Sequence, residues 1–544
     1  MALDKTEYSM SAAEKMSNGA VGRNKNGVRV DRSDGHVHQN GSAKKEKRRP
    51  FIESFENIPL LTAATTFIGF HLILLMGYVT SIIFTPKVAR EKNRQGYVPL
   101  YDRFESFYSR YVYRRLRDCW NIPICGCPGS EVTIKDRVTH DCGWTFEYTG
   151  TQSTALNLGS YNYLGFAQAE GSCSEDSAVK IKELGCATAS PRIEFGTQKI
   201  HQELEALTAE FVGMEDAITF GMGFATNALN LPSIVSKGCL VVSDEKNHAS
   251  LILGLRLSGA NVEVFKHNNM ESLRQVLHNA VIKGQPRSHR PWKKILIVVE
   301  GVYSMEGSIV RLPEILELKR KYKAYLYVDE AHSIGAIGRN GRGVVDYFGV
   351  DPKEVDILMG TYTKSFGSAG GYIAGSKAFI DHMRVNSHGN CYATSMSSSC
   401  AQQIISSMKI IMGKDGTNEG KKRIDQLARN SRYFRRRLNQ MGIITIGNND
   451  SPVVPMMVYM HSKIASVVRR LKTNNIAVVG VGFPATPLME GRIRFCLSAA
   501  HTKEQLDNAL VHVEEAADFL GLRYSRKRRS KEPVHYSDSE SEME

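Results

Sequence analysis

The sequence predicts an α/β protein: a large domain on a mostly parallel sheet, a smaller C-terminal α+β domain, and an apolar helix near the N-terminus. Three observations carry this. Short apolar runs, among them AITF (217–220), CLVVSDE (239–245), ILIVVEG (295–301) and AYLYVDE (324–330), alternate with helical stretches up to about residue 520. They lack polar alternation, which suits parallel strands covered on both faces. Each run is followed by Gly, Ser, Asn or His, and ligands of such sheets collect at the C-terminal strand ends. Finally, residues 58–84, IPLLTAATTFIGFHLILLMGYVTSIIF, carry no charge. That exceeds the roughly 20 residues needed to cross a bilayer.

The elements follow in order. Residues 1–50 are polar and of mixed charge, which predicts disorder. Residues 51–95 hold the membrane helix and a basic flank, and 96–154 an amphipathic linker and N-terminal segment. Within that segment YDRFESFYSRYVYRRLRDCW (101–120) reads as a helix whose stripe is a packing surface. The large domain spans 155–415, the small domain 416–522, and a basic then acidic tail 523–544. Basic residues lie on both sides of the apolar stretch, so the positive-inside rule sets no orientation.

The 544 residues carry 70 Lys+Arg against 56 Asp+Glu, a net charge of +14. Much of the excess sits in two runs, KKEKRR (44–49) and RKRRSK (526–531), with no nucleic-acid module between them. The ten cysteines form no disulfide framework. Cys119, Cys125, Cys127 and Cys142 lack the paired spacing of a zinc site, so no metal is expected and reduced thiols point to a reducing compartment.

The strongest chemical signal is GTYTKSFGSAGGYIAG (360–375). Lys364 stands among Thr361, Thr363 and Ser365, ahead of glycines that let backbone approach a ligand closely. That setting suits an imine-forming amine beside a phosphate, the need of pyridoxal phosphate (PLP). Asp329 ends a predicted strand, where it suits a pyridine nitrogen, although taken alone a strand-end Asp more often caps the next helix. His332 lies three residues on, within reach of a phenolic oxygen. TFGMGFATNALN (219–230) presents the backbone of Met222 and Gly223 at a helix start, suited to a phosphate. His248, in VVSDEKNHASL (241–251), follows another strand and could stack on an aromatic ring. Each segment alone is weak. Together they serve complementary needs of one cofactor.

These segments resemble the α-oxoamine synthase family, PLP enzymes of fold type I. The resemblance covers about residues 150–520 and also rests on NYLG (162–165), GTQKIHQELE (196–205), EGVYSMEGS (300–308), VDEAHS (328–333) and GRIRFCLSAAHT (491–502). It implies that Lys364 is the cofactor lysine and the later proton carrier. His248 would stack on the ring, Asp329 would pair with the pyridine nitrogen, and His332 would meet the phenolic oxygen. Thr361, Thr363, Met222 and Gly223 would lie near the phosphate. Arg494, rather than Arg492, would bind the amino-acid carboxylate, and PATP (484–487) would form a mobile loop over it. Tyr161 stands where many relatives carry an asparagine that touches that carboxylate.

The Thr-Lys-Ser context and the apolar helix resemble the branch that joins L-serine to palmitoyl-CoA, giving 3-ketosphinganine at the first step of sphingolipid biosynthesis. That branch implies a heterodimer with a related subunit lacking the lysine, small activating and regulatory membrane proteins, and an endoplasmic reticulum membrane with the catalytic domain in the cytosol. Two alternatives stand beside it: a sister synthase using glycine and a short acyl-CoA, and a non-catalytic membrane-tethered subunit.

Overall fold

The structure, a computed structural model, describes residues 53–83, 93–98, 100, 107–527 and 533–536. The polar leader, the KKEKRR run, most of the basic flank after the apolar helix, and SDSESEME (537–544) lie outside the described residues.

A seven-stranded sheet forms the centre. Its spatial order is Asp216–Phe220, Gly371–Gly375, Ile357–Thr361, Tyr325–Asp329, Ile295–Glu300, Leu240–Asp244 and Asn261–Phe265. The four apolar runs of the sequence are all strands of it. Three strands lie outside those runs, and one of them reverses direction. Gly371–Gly375 runs antiparallel to both its neighbours, because residues 362–370 return tightly with the Tyr362 N–H donating to the Gly370 carbonyl. So short a connection permits only an antiparallel partner.

Successive side chains of these strands enter opposite cores, as the two-residue period of a strand requires. Val242, Ile297, Val299, Val328 and Leu358 join the larger core, while Val241, Leu296, Val298, Tyr327 and Met359 join a second one on the other face. Both faces are therefore apolar, and polar alternation is absent until the edge strand Asn261–Phe265, which is largely exposed.

Beside a two-stranded pairing of Glu53–Ser54 with Gly447–Asn448, two larger sheets accompany the central one. Val453–Tyr459, Gly491–Cys496 and Val479–Val481 form an antiparallel sheet with Arg494 in its middle strand. Ile476–Ala477, Glu147–Asn157, Glu131–Val138 and Ile124–Cys125 form another. Backbone bonds from Cys496 N to Leu158 O and from Ala499 N to Tyr163 O hold the segment carrying Tyr161 against the Arg494 strand.

The apolar stretch is a helix, Leu60–Ile83, with a mean hydropathy of 1.9, long and apolar enough to cross a membrane. Thr66, Phe70 and Gly77 form its one buried stripe. Phe70 packs on His461 and Phe483, with ring centroids 5.4 and 5.7 Å away, and Tyr78 stacks on Phe107 at 4.1 Å. A Cβ at Gly77 would come within 2.9 Å of Phe107 Cζ, so glycine sets this close approach. Leu61, Ile68, Leu72, Leu75 and Ile82 face outward. The aromatic segment behind it is helical from Phe107, with one wide turn at Ser109–Tyr113 before the α-helix Arg114–Trp120. As expected, its stripe (Tyr108, Tyr111, Val112, Leu116, Cys119) is buried packing.

Candidate active site

Parallel strands that stop together make a floor. Asp244, Glu300, Asp329 and Thr361 are the last residues of four of them, and Asp329 is in register with both Glu300 and Met359. Lys364 follows three residues after Thr361. Its loop is fixed by Ser365, whose hydroxyl donates to Ile334 O at 2.6 Å, and by Gly370. Gly370 has φ +96°, and a Cβ there would lie 2.3 Å from Phe220 O. Only glycine fits. The Thr363 hydroxyl donates to Thr361 Oγ1 at 3.2 Å, so both hydroxyls sit at this strand end.

Lys364 is half-buried as a residue, and its amine lies 5.7 Å above the Tyr161 ring. Burial lowers its pKa from 10.5 to about 8, although Asp329 and Glu300 pull it upward. Asp329 is buried, and each of its oxygens accepts one N–H: Oδ1 from Ala331 N at 2.9 Å and Oδ2 from Asn227 Nδ2 at 2.7 Å. The residues just after it form a turn and not a helix, so the helix-cap alternative for Asp329 does not hold.

His248 caps the helix Ala249–Ser258, its backbone N–H held by Glu300 and its ring edge-on to Phe224 at 5.9 Å. Burial and the Lys364 amine outweigh Asp329 and lower its pKa. His332 is buried and held neutral, its pKa driven well down by burial and then by the nearby cations Lys364 and Arg494. Its Nδ1 lies 2.7 Å from the Tyr163 hydroxyl, whose pKa burial pushes well up. The phenol therefore keeps its proton and donates it to Nδ1, leaving His332 Nε2–H as a donor.

Met222 and Gly223 follow the strand Asp216–Phe220. The Met222 side chain is exposed, and Gly223, the first residue of the helix Gly223–Ala228, packs on Thr361. A Cβ at Gly223 would press to 3.1 Å on Thr361 Cγ2 and 3.3 Å on Gly370 O. A cavity of about 290 Å³ opens beside it, lined by Ala225, Ala369, Thr394 and Met396 among others.

On the far wall the Arg494 guanidinium lies 4.6 Å over the Tyr161 ring, which is edge-on to His332 at 4.9 Å. Arg494 is buried, yet its Nε has no hydrogen-bond partner among the described residues. Arg492 is satisfied by Glu490 and Met305 O, each at 2.8 Å. All the predicted site residues thus meet in one crevice. Three were missed: Glu300, Tyr163 and Asn227. Glu300 ends ILIVVE as Asp329 ends YLYVD, a parallel that the sequence did carry. Asn227 looks like any polar residue of a helix.

These groups fit PLP. An amine with a depressed pKa, a buried carboxylate acting only as an acceptor, and a small-residue cradle beside paired threonine hydroxyls match an aldehyde, a protonated pyridine nitrogen and a phosphate.

Comparison with known proteins agrees. Residues 153–513 match the family described as aminotransferase class I and II. The chain is 50% identical over 540 residues to human serine palmitoyltransferase 3, covering 98% of this chain and 97% of that one. It is 52% identical over 487 residues to serine palmitoyltransferase 2 of Caenorhabditis elegans, covering 88% and 87%. A serine palmitoyltransferase from S. paucimobilis, solved with PLP and myriocin bound, superposes with a TM-score of 0.67 at 26% identity, covering 77% of this chain and 100% of that one. The chain belongs to the aminotransferase class I and II family and, within it, to the serine palmitoyltransferases, PLP-dependent acyltransferases that open sphingolipid synthesis.

Proposed function

We propose that the crevice holds PLP on Lys364 and condenses L-serine with palmitoyl-CoA, releasing CoA and CO₂ and giving 3-ketosphinganine. One observation carries the assignment: the depressed Lys364 amine, the acceptor-only Asp329 and the unpaired Arg494 Nε face the same space. When bound, PLP supplies an electron-accepting ring that stabilises negative charge at the amino-acid α-carbon.

The protein groups divide the work. With a pKa of about 8, an appreciable fraction of Lys364 is unprotonated near neutrality, ready to join the aldehyde and later to carry the serine α-proton. Asp329 holds a proton on the pyridine nitrogen. His248 offers a ring face to stack against, and His332 Nε2–H donates to the phenolic oxygen. The Thr361 and Thr363 hydroxyls and the Met222–Gly223 backbone hold the phosphate. Arg494 takes the serine carboxylate, with Tyr161 packed beneath its guanidinium. The α-carbon then bonds to the thioester carbonyl carbon as the CoA thiolate leaves; the carboxylate departs as CO₂, and a proton returned from Lys364 takes its place at the α-carbon.

Borohydride trapping of the holoenzyme followed by peptide mapping tests the site. Label on Lys364 is expected, and label on another lysine overturns the assignment. Product identification from serine or glycine, each with palmitoyl- and short acyl-CoA, tests the substrates.

The helix Leu60–Ile83 and ten free thiols support an endoplasmic reticulum membrane location with the crevice in the cytosol. Exposed Ile193, Phe195, Met222 and Tyr392, on segments beside the crevice, support a heterodimer with a related, lysine-lacking subunit. The outward apolar face of the helix offers surface to lipid and to small activating and regulatory membrane proteins.

A further inference from the structure

Asn227 lies in the segment 219–230 but has no role assigned above, and it sits at the junction of a buried hydrogen-bond chain. It lies one turn beyond Gly223 on the helix Gly223–Ala228 and is buried, as are Ser250 and Tyr327. The Tyr327 hydroxyl donates to Asn227 Oδ1 at 2.7 Å. The Asn227 Nδ2 group donates to Asp329 Oδ2 at 2.7 Å and to Ser250 Oγ at 3.0 Å. Ser250 Oγ lies 2.8 Å from His248 Nδ1, and the Ser250 backbone N–H also points at that nitrogen, at 3.3 Å.

The direction of every bond in this chain is determined. A reversed carboxamide would set its oxygen against the Asp329 carboxylate, so Oδ1 must face Tyr327 and both N–H donors must face Asp329 and Ser250. Ser250, having accepted from Asn227, has its own proton left for His248. Two donors on Nδ1 leave that nitrogen unprotonated, and the neutral ring carries its hydrogen on Nε2.

We propose that Asn227 is a positioning residue that ties the carboxylate beneath the cofactor nitrogen to the histidine stacked on the cofactor, fixing the rotamer of one and the tautomer of the other. The inference rests on the assignment of Asp329 and His248 made above. Because Asn227 shares a helix with Gly223, the same short element addresses both the phosphate end and the nitrogen end of the cofactor. Tyr327 acts one step further out, by fixing the orientation of the amide.

The test uses the full-length protein reconstituted with PLP and reads the cofactor itself as well as turnover. In Asn227→Ala the PLP dissociation constant and kcat should each worsen by about 10- to 100-fold, the scale of a lost hydrogen bond to a charged group, while KM for serine stays within about twofold. Asn227→Asp, which sets a second carboxylate against Asp329, should lose more than Asn227→Ala and should move the absorbance maximum of the bound cofactor. Tyr327→Phe should change the same quantities in the same direction by less. Unchanged absorbance, cofactor affinity and kcat in Asn227→Ala overturn the proposal. Should the Asn227 variants not fold, Tyr327→Phe and Ser250→Ala decide, and wild-type cofactor spectra in both overturn it. A wild-type protein without a Lys364-dependent cofactor band would instead sink the underlying site assignment, so the two failures are distinct.

Discussion

Arg492 and Arg494 lie two residues apart on one strand, both contact Met305, and differ in what remains for a ligand. Arg492 donates to Met305 O and to Glu490, with Glu306 3.6 Å away. Arg494 meets two sulfurs, that of Met305 at 3.5 Å and that of Cys496, and its Nε is unpaired among the described residues. A strand side chain and the next but one share a face, so both guanidiniums turn toward the crevice. One is spent on oxygens and the other keeps a donor for a ligand.

Arg494→Ala should therefore raise KM for serine by about 10- to 100-fold, with the cofactor absorbance unchanged, the scale of a lost charge-assisted bond. Arg492→Ala should act on stability. It leaves Glu490 and Glu306 with Lys246 as their remaining cation, and breaking a buried ion pair costs about 3–5 kcal/mol, discounted here because Lys246 still pairs with both and Glu490 is partly exposed. Serine kinetics and urea unfolding of both variants check the contrast.

Lys364 should titrate far below other lysines. In apoprotein treated with a small amine-selective reagent, its modification rate should rise with pH through about 8. Surface lysines should follow near the ordinary value of about 10.4. Asp329 pulls the amine upward, so Asp329→Asn should shift the midpoint lower still. Quantitative peptide mapping across pH 6–10 reads both.

Buried neutral histidines make the fold acid-sensitive. Burial lowers the pKa of His501 to about 4, and its Nε2 is tied to Asn157 O at 3.0 Å. Its folded value lies below the unfolded one, so the unfolded chain binds the proton first and stability falls as pH drops. The contribution is fully present above about 6.5 and is lost between there and about 4, on the order of 3 kcal/mol at most. His332 shifts in the same direction. Urea midpoints at pH 7.5, 6 and 5 should decline, and His501→Gln should flatten the decline.

The apolar helix should loosen from the catalytic body when its close contact is blocked. Gly77→Val drives a side chain into Phe107 and Tyr111, and overpacking of this kind costs about 1–3 kcal/mol. Faster limited proteolysis between the helix and residue 107 should report it, while a Leu75→Ala change on the outward face should not.

The strands could be read from sequence because burial on both faces removes every polar position from them, as in LVV of 240–242 and ILIVV of 295–299. The carboxylate was legible because it closes such a run, and the lysine and the two histidines because they follow strand ends within a few residues. What escaped was set by distance along the chain. Asn227 meets Asp329 across 102 positions, and nothing local separates it from a solvent-facing helix residue. Gly371–Gly375 escaped for another reason: its glycines served the lysine loop so well that they hid a strand.

The register that aligns Glu300 with Asp329 stores chemistry in where strands stop rather than in what surrounds them. Lengthening Tyr325–Asp329 by one residue would carry its terminal acid about 3.3 Å onward and flip it to the opposite side of the pleat. Insertions in the turns at the other end of the sheet leave those stopping points alone. The molecule can thus be remodelled freely at one rim while the other stays fixed to within a single residue.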